Sequence, residues 1–232
     1  WYITNTPTTQ NMTKQTLGNR SYINQVKYSP KYSSVAMLGT NDANVWIGFN
    51  LGTGVASQAN WVCLTGDCTS AGNQGIVPLR PVQGVALDPT VGAANLPVGY
   101  AAIGGFNPNT PSTPGHVFRV ACTANCASYT WTDKTGNLPD IPVDSIIVNP
   151  NDAQQVFAGT DWGVYYTNDI SVASPTWQRF ENGIPHAMVW DMQIDRGSTT
   201  LSVWTRSRGA YAYPLAGGGS PTPTPTASPS AT

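Results

Sequence analysis

A four-strand pattern that recurs along the chain constrains its fold more than any other feature. In residues 143–185, an apolar strand leads into an Asn149-Pro150 turn, and two short strands and a strand at Trp177 follow. The segment closes with Gly-Ile-Pro at 183–185, and the same order recurs upstream with Asp88-Pro89 at the first turn. Because four short antiparallel strands in about 45 residues make one propeller blade, the repeat predicts a β-propeller.

The repeats divide the chain into segments of similar design. We predict a partial propeller over residues 1–215, in which 1–21 end a preceding blade and the later blades span about 22–78, 82–139, 143–185 and 189–215. The last segment supplies only three strands, so the prediction is an all-β fold with about three and a half four-stranded antiparallel blades. A two-sheet sandwich of about 14 strands is the alternative architecture.

The number of blades bears on whether the ring is complete. A closed ring of this kind is expected to need about six to eight blades, because an open ring exposes strand edges. We therefore expect the chain to be the C-terminal part of a longer propeller, or to close its ring by self-association. From Ala216 the sequence reads AGGGSPTPTPTASPSAT, which predicts a disordered, extended linker over 216–232.

Composition and charge exclude several classes of protein. Only 10% of the residues are charged and the formal net charge is −1, so no basic surplus is present for binding nucleic acid. No apolar run is long enough to span a membrane. We expect neither nucleic acid nor a bilayer as a partner, and the polar, weakly charged composition suits a secreted or cell-surface protein.

The four cysteines form two close pairs in sequence, Cys63 with Cys68 and Cys122 with Cys126. The favoured interpretation is two local disulfides, which implies an oxidising, extracellular compartment. The alternative is a metal site, but zinc clusters use a tighter spacing and these loops supply no further ligands in pattern. We therefore predict no metal and no cofactor.

The repeat also carries a family resemblance. The stretch V-F-A-G-T-x-x-G-V-Y-x-T-x-D at 156–169, followed by Trp177, with T-R-S-R-G-A-Y at 205–211, resembles the sialidase-type Asp-box propellers. That superfamily includes sortilin-like propellers, xyloglucan-acting glycoside hydrolases and bacterial secreted proteins labelled exo-sialidases. The Asp-box is degenerate, because its glycine is missing after Asp169. The resemblance implies structural roles for Asp88, Asn149 and Asp169, whose side chains would cap turns.

The resemblance places the turns between second and third strands, together with the closing loops, on the ligand-facing side. The candidate ligand-binding residues there are Trp162, Asp161, Asn41, Asp42, Asn107, His186 and Arg208. An exposed Trp162 would offer its indole to the apolar face of a sugar; alternatively, it packs against a neighbouring blade. Both histidines, His116 and His186, are expected at the surface, and four tryptophans are expected between blades: Trp46, Trp131, Trp177 and Trp204.

No complete catalytic set is present in the sequence. The single glutamate, Glu181, has no evident tyrosine partner, and Asp161 is only a weak catalytic candidate. The favoured function is therefore an extracellular module that binds a polysaccharide, a glycoprotein or another protein through its loop face. One alternative is the C-terminal half of a xyloglucanase-like or sialidase-like glycoside hydrolase. A second is a structural or assembly protein of the cell surface.

Overall fold

The computed structural model describes residues 2–6, 9–13, 22–52, 59–66, 68, 75–91, 93–181, 183–195 and 197–215. The predicted linker over 216–232 lies outside these residues. In 2–6 and 9–13 only the backbone is described, as a hairpin of β1 (Tyr2–Thr6) and β2 (Thr9–Thr13). Regular structure in the described residues is almost entirely β, with one short 3-10 turn at Asn107–Asn109.

Four antiparallel sheets follow one another and form a four-blade propeller arrangement, which confirms the predicted all-β propeller. Blade 1 consists of β3 (Ile23–Tyr28), β4 (Ala36–Thr40), β5 (Val45–Phe49) and β6 (Asn60–Cys63). Blade 2 consists of β7 (Val82–Leu87), β8 (Val98–Ile103), β9 (Val117–Thr123) and β10 (Ser128–Asp133). Blade 3 consists of β11 (Val143–Asn149), β12 (Asp152–Thr160), β13 (Gly163–Thr167) and β14 (Gln178–Arg179). Blade 4 has three strands, β15 (Val189–Ile194), β16 (Thr200–Thr205) and β17 (Ala210–Pro214).

The hydrophobic core lies between consecutive blades, and one contact recurs at their boundaries. Gly39 on β4 faces Val82, the first residue of the next blade, and Gly159 on β12 faces Val189 in the same way. A Cβ added to Gly39 would lie 2.5 Å from Cγ1 of Val82, so no larger residue fits without movement. At these two boundaries, the glycine therefore allows the inner strand of the next blade to pack closely.

Two sequence predictions about buried residues are wrong. Trp46 and Trp177 are buried as predicted, but Trp204 is 41% exposed because it lies on the face of blade 4 that no described blade covers. His116 is completely buried rather than at the surface. Its Nε2 lies 2.9 Å from Oδ1 of Asp140, and its Nδ1 lies 3.3 Å from the carbonyl oxygen of Ile103.

The cysteine pairing and the side-chain caps of three turns agree with the predictions from the sequence. Cys63 is bonded to Cys68 and Cys122 to Cys126, and no free cysteine remains among the described residues. The turn caps are confirmed as well. Backbone N–H groups two residues further along donate to the side chains of Asp88, Asn149 and Asp169, at 2.8, 2.9 and 2.9 Å.

The four inner strands, β3, β7, β11 and β15, surround a common channel. Blades 1 and 4 meet across it, because Nζ of Lys27 lies 3.0 Å from Oδ1 of Asp191. Nε2 of Gln25 also donates to that oxygen at 3.4 Å. From the sequence we expect about six to eight blades around a closed channel, whereas here four sheets already line one.

Candidate functional site

Each inner strand carries a register shift at the same place, one residue after it begins. The pairing skips one residue in β3, β7, β11 and β15, as expected for a β-bulge. A bulge redirects a side chain and is frequent beside functional sites. The four skipped residues are named the bulge ring here: Asn24, Gln83, Asp144 and Trp190.

All four bulge-ring residues line one cavity of about 320 Å3 at the end of the channel where the inner strands begin. Gln25, Met188 and Asp191 complete its lining. This volume is near the lower end of the range of roughly 300–1,000 Å3 for small-molecule sites. We call this cavity the channel mouth.

The loops predicted to face a ligand surround the channel mouth. In each blade, a backbone N–H of the loop after the second strand donates to a carbonyl just before the inner strand. The four donor–acceptor pairs are Asn41 to Tyr22 at 2.9 Å, Gly104 to Pro81 at 2.9 Å, Asp161 to Pro142 at 3.3 Å and Arg206 to Met188 at 3.0 Å. These loops and the bulge ring therefore share one end of the molecule.

Asp144 is the most unusual group at the channel mouth. Its side chain is 8% exposed, and its Oδ2 has no hydrogen-bond partner among the described residues. Burial, together with the charge and the hydrogen bond of neighbouring Asp161, raises the pKa of Asp144 to about 7. Asp144 therefore keeps its proton up to near neutral pH.

The second carboxylate that lines the channel mouth, Asp191, is already paired. Lys27 lies 3.0 Å from its Oδ1, and Nε2 of Gln193 donates to its Oδ2 at 3.0 Å. In the described part of the chain, neither Asp144 nor Asp161 has such an ion pair with a basic side chain. Lys27 therefore pairs with Asp191, whereas Asp144 has no basic partner among the described residues.

Trp162 projects from the turn that follows Asp161 and is 52% exposed. Its ring lies edge-on to His186, with ring centroids 5.2 Å apart. Nη1 of Arg179 donates to Nδ1 of His186 at 2.9 Å, and Nε of Arg179 lies 3.4 Å from Oε1 of Glu181. We call these four residues the tryptophan patch. Trp162 follows Asp161, whose carboxyl group interacts with that of Asp144 at the channel mouth.

The remaining predicted site residues occupy the same end but do not join one cluster. Asn107 is engaged in its own loop, because its Oδ1 accepts from Gly115 N at 2.8 Å and from Arg80 Nη2 at 3.3 Å. Oδ1 of Asp42 accepts from Thr40 Oγ1 at 2.5 Å. Asn41 and Arg208 are exposed at the surface. Binding roles for these four residues stay predictions.

Sequence reasoning missed Asp144, Asn24, Gln83 and Trp190. A signal was present, because a polar residue stands second in three of the four apolar inner strands, in I-N-Q-V, V-Q-G-V and V-D-S-I. In a strand with regular alternation, the side chain at that position would point to one face of the sheet. Only the register shift shows that the side chain enters the channel instead.

The other end of the channel opens into a wider cavity of about 880 Å3. Apolar inner-strand residues and the turn prolines line it, among them Pro30, Pro89, Pro150, Ile146 and Ile194. The capped turns of Asp88 and Asn149 are therefore at the opposite end from the candidate site.

Comparison with known proteins gives no relative from which to transfer a function. No protein-family model matches the chain, and no curated protein matches it.

Proposed function

We propose that this chain is an extracellular propeller module of the sialidase-type, Asp-box kind that binds a glycan, on a polysaccharide or a glycoprotein, through its loop face. The observation that carries the proposal is the half-exposed indole of Trp162, which lies against His186 and follows Asp161 in sequence. Such an aromatic surface with adjacent acceptors suits the apolar face and the hydroxyl groups of a sugar.

Two features support an extracellular location. Two disulfides form, which requires an oxidising compartment. The sequence carries few charges and ends in a Pro/Thr-rich segment of the kind that joins extracellular modules. No helix among the described residues is long and apolar enough to cross a membrane.

The test is glycan binding by the purified chain and by two tryptophan variants. Trp162→Ala is expected to weaken binding by roughly 30-fold, because a central aromatic contact contributes about 2 kcal/mol. Trp204→Ala is the matched control, since it removes another exposed indole that is not among the residues lining the channel mouth. Equal affinities for the two variants, or no glycan bound by the parent chain, would rule the proposal out.

One observation favours a second candidate, a glycoside hydrolase. A carboxyl group whose pKa is raised to about 7 by burial, as in Asp144, has the property of a general acid. Sugar release from xyloglucan, other β-glucans or sialosides that Asp144→Asn abolishes would establish this candidate.

A further inference from the structure

The two end blades each leave one face uncovered, and we propose that a second copy of the chain covers both faces. Two chains then form one ring of eight blades, four from each chain, in which blade 4 of each copy receives blade 1 of the other. The two new contacts repeat the interface that joins consecutive blades within the chain.

The uncovered face of blade 1 is an apolar stripe on its inner strand. Ile23, Val26 and Tyr28, named the blade 1 stripe here, are 49%, 45% and 57% exposed. In the other three inner strands, the residues at these register positions pack against the preceding blade: Val82, Val85 and Leu87; Val143, Ile146 and Val148; Val189, Met192 and Ile194. Three boundaries in the same chain thus show that such a stripe packs against the face of a blade.

The uncovered face of blade 4 has the volume to receive such a stripe. In blade 1, the receiving face combines one glycine with three large apolar residues: Gly39 with Met37, Val45 and Ile47. In blade 4, the equivalent positions combine one large indole with three small residues: Trp204 with Ser202, Ala210 and Ala212. Because the large and small positions are exchanged together, a comparable packing volume is kept.

Polar groups beside the two faces are complementary as well. Gln25 of blade 1 accepts a hydrogen bond from the backbone N–H of Val85 in the next blade at 2.8 Å. Asp191 occupies the register position of Gln25 in blade 4, so its carboxylate can accept from the equivalent N–H, that of Val26 in the second copy. The same carboxylate pairs with Lys27, as it does at 3.0 Å within the chain.

Closure within one chain leaves both faces uncovered. Blades 1 and 4 reach each other through Lys27, Gln25 and Asp191, yet Val26 and Trp204 keep 45% and 41% of their surface exposed. In a ring of two chains the ion pair is kept and both apolar faces are buried, which is the main driving force for association. Eight blades also agree with the six to eight expected for a closed ring.

The first experiment measures the molar mass of the purified chain by light scattering over a series of concentrations. The parent chain is expected to reach twice the mass of one chain. Val26→Asp is expected to weaken the dimer roughly tenfold or more, because it buries a carboxylate among apolar side chains. Val172→Asp is the matched control and should keep the dimer, since Val172 is 43% exposed in the loop between β13 and β14.

The second experiment places the exchanged charges in separate chains. Lys27→Asp and Asp191→Lys are each expected to weaken the dimer at low salt, because each variant opposes like charges at both junctions. An equimolar mixture of the two variants is expected to restore the dimer, since both junctions then pair an acid with a base. Mixing cannot restore an ion pair that forms within one chain.

The outcomes decide between the possible arrangements. A chain that stays monomeric at every concentration, or a dimer that Val26→Asp and Val172→Asp weaken equally, would overturn the proposal. A dimer that both charge variants keep, or that their mixture does not restore, would overturn it in favour of a symmetric contact between two blade 1 stripes. Glycan binding is tested at Trp162 in blade 3, so either proposal can fail without the other.

Discussion

Asp144 shows how one residue can be costly to the fold and useful at a site. The side chain is buried, its Oδ2 is unpartnered, and its nearest charged neighbour is another carboxylate. Folding therefore disfavours the ionised form, and natural proteins keep such groups mainly where they serve a function. By contrast, Asp169 sits in a solvent-facing turn where the hydroxyl and backbone N–H of Ser171 lower the pKa of its carboxyl group.

Stability is expected to fall as pH rises through the window in which Asp144 ionises. Between the ordinary aspartate pKa of 3.8 and the folded value of about 7, the folded state binds one more proton than the unfolded state. The free energy of unfolding should then decrease by on the order of 1 kcal/mol per pH unit across this window and level off above it.

Urea unfolding at a series of pH values measures this effect. Asp144→Asn is expected to flatten the decline, because the asparagine has no proton to lose. Asp152→Asn should keep the decline of the parent chain. A parent curve that is flat between about pH 4 and pH 7 would contradict the buried, protonated state of Asp144.

At the level of the elements, the blades are held together by closely packed inner strands. Gly39 and Gly159 stand at equivalent positions, opposite Gln25 and Ser145 in their own sheets, and each meets the first valine of the next blade. In blade 2, Ala102 occupies the corresponding register position and is completely buried. A small residue therefore recurs at this position because the inner strand of the next blade packs against it.

Gly39→Ala is expected to destabilise the chain by about 1–3 kcal/mol, since the added methyl overlaps Val82. Val82→Ala makes room for that methyl, so the double variant should lose less stability than the sum of the two single variants. A double-mutant cycle by urea unfolding measures the difference. Strict additivity would show that Gly39 does not contact Val82 in solution.

At the scale of the whole molecule, closure of the channel depends on a few polar contacts. Lys27 and Gln25 of blade 1 reach Asp191 of blade 4, while Trp204 and Tyr28 leave much of their surface exposed on the two end blades. The blades that follow one another share extensive apolar cores, whereas the first and last meet mainly through an ion pair and hydrogen bonds. This junction is therefore expected to be the weakest in the ring.

A double-mutant cycle with Lys27→Met and Asp191→Asn tests the closure. The partly exposed pair is expected to show a coupling free energy of up to about 1 kcal/mol. The coupling should shrink in high salt, because the pair is open to solvent on one side. No coupling at low salt would mean that this ion pair does not hold blades 1 and 4 together in solution.

Much of the fold was predictable because its signals are local. Strand order, turn residues and paired cysteines repeat in the sequence, and the sheets, the caps of Asp88 and Asn149, and both disulfides agree with them. The exposure of Trp204 and the burial of His116 were not predictable in this way. The burial of each side chain depends on which distant segment packs over it, and the sequence of the strand itself does not show this.

The sequence by itself determined that the chain forms short antiparallel strands in repeated blades, because alternation, turn chemistry and glycine placement act within a few residues. The tertiary structure alone decided that Asn24, Gln83, Asp144 and Trp190 meet in one cavity. Their segments are some 46 to 61 residues apart in sequence. Only a bulge in each inner strand and the ring arrangement of the sheets bring them together, and both arise from pairing and packing between distant parts of the chain.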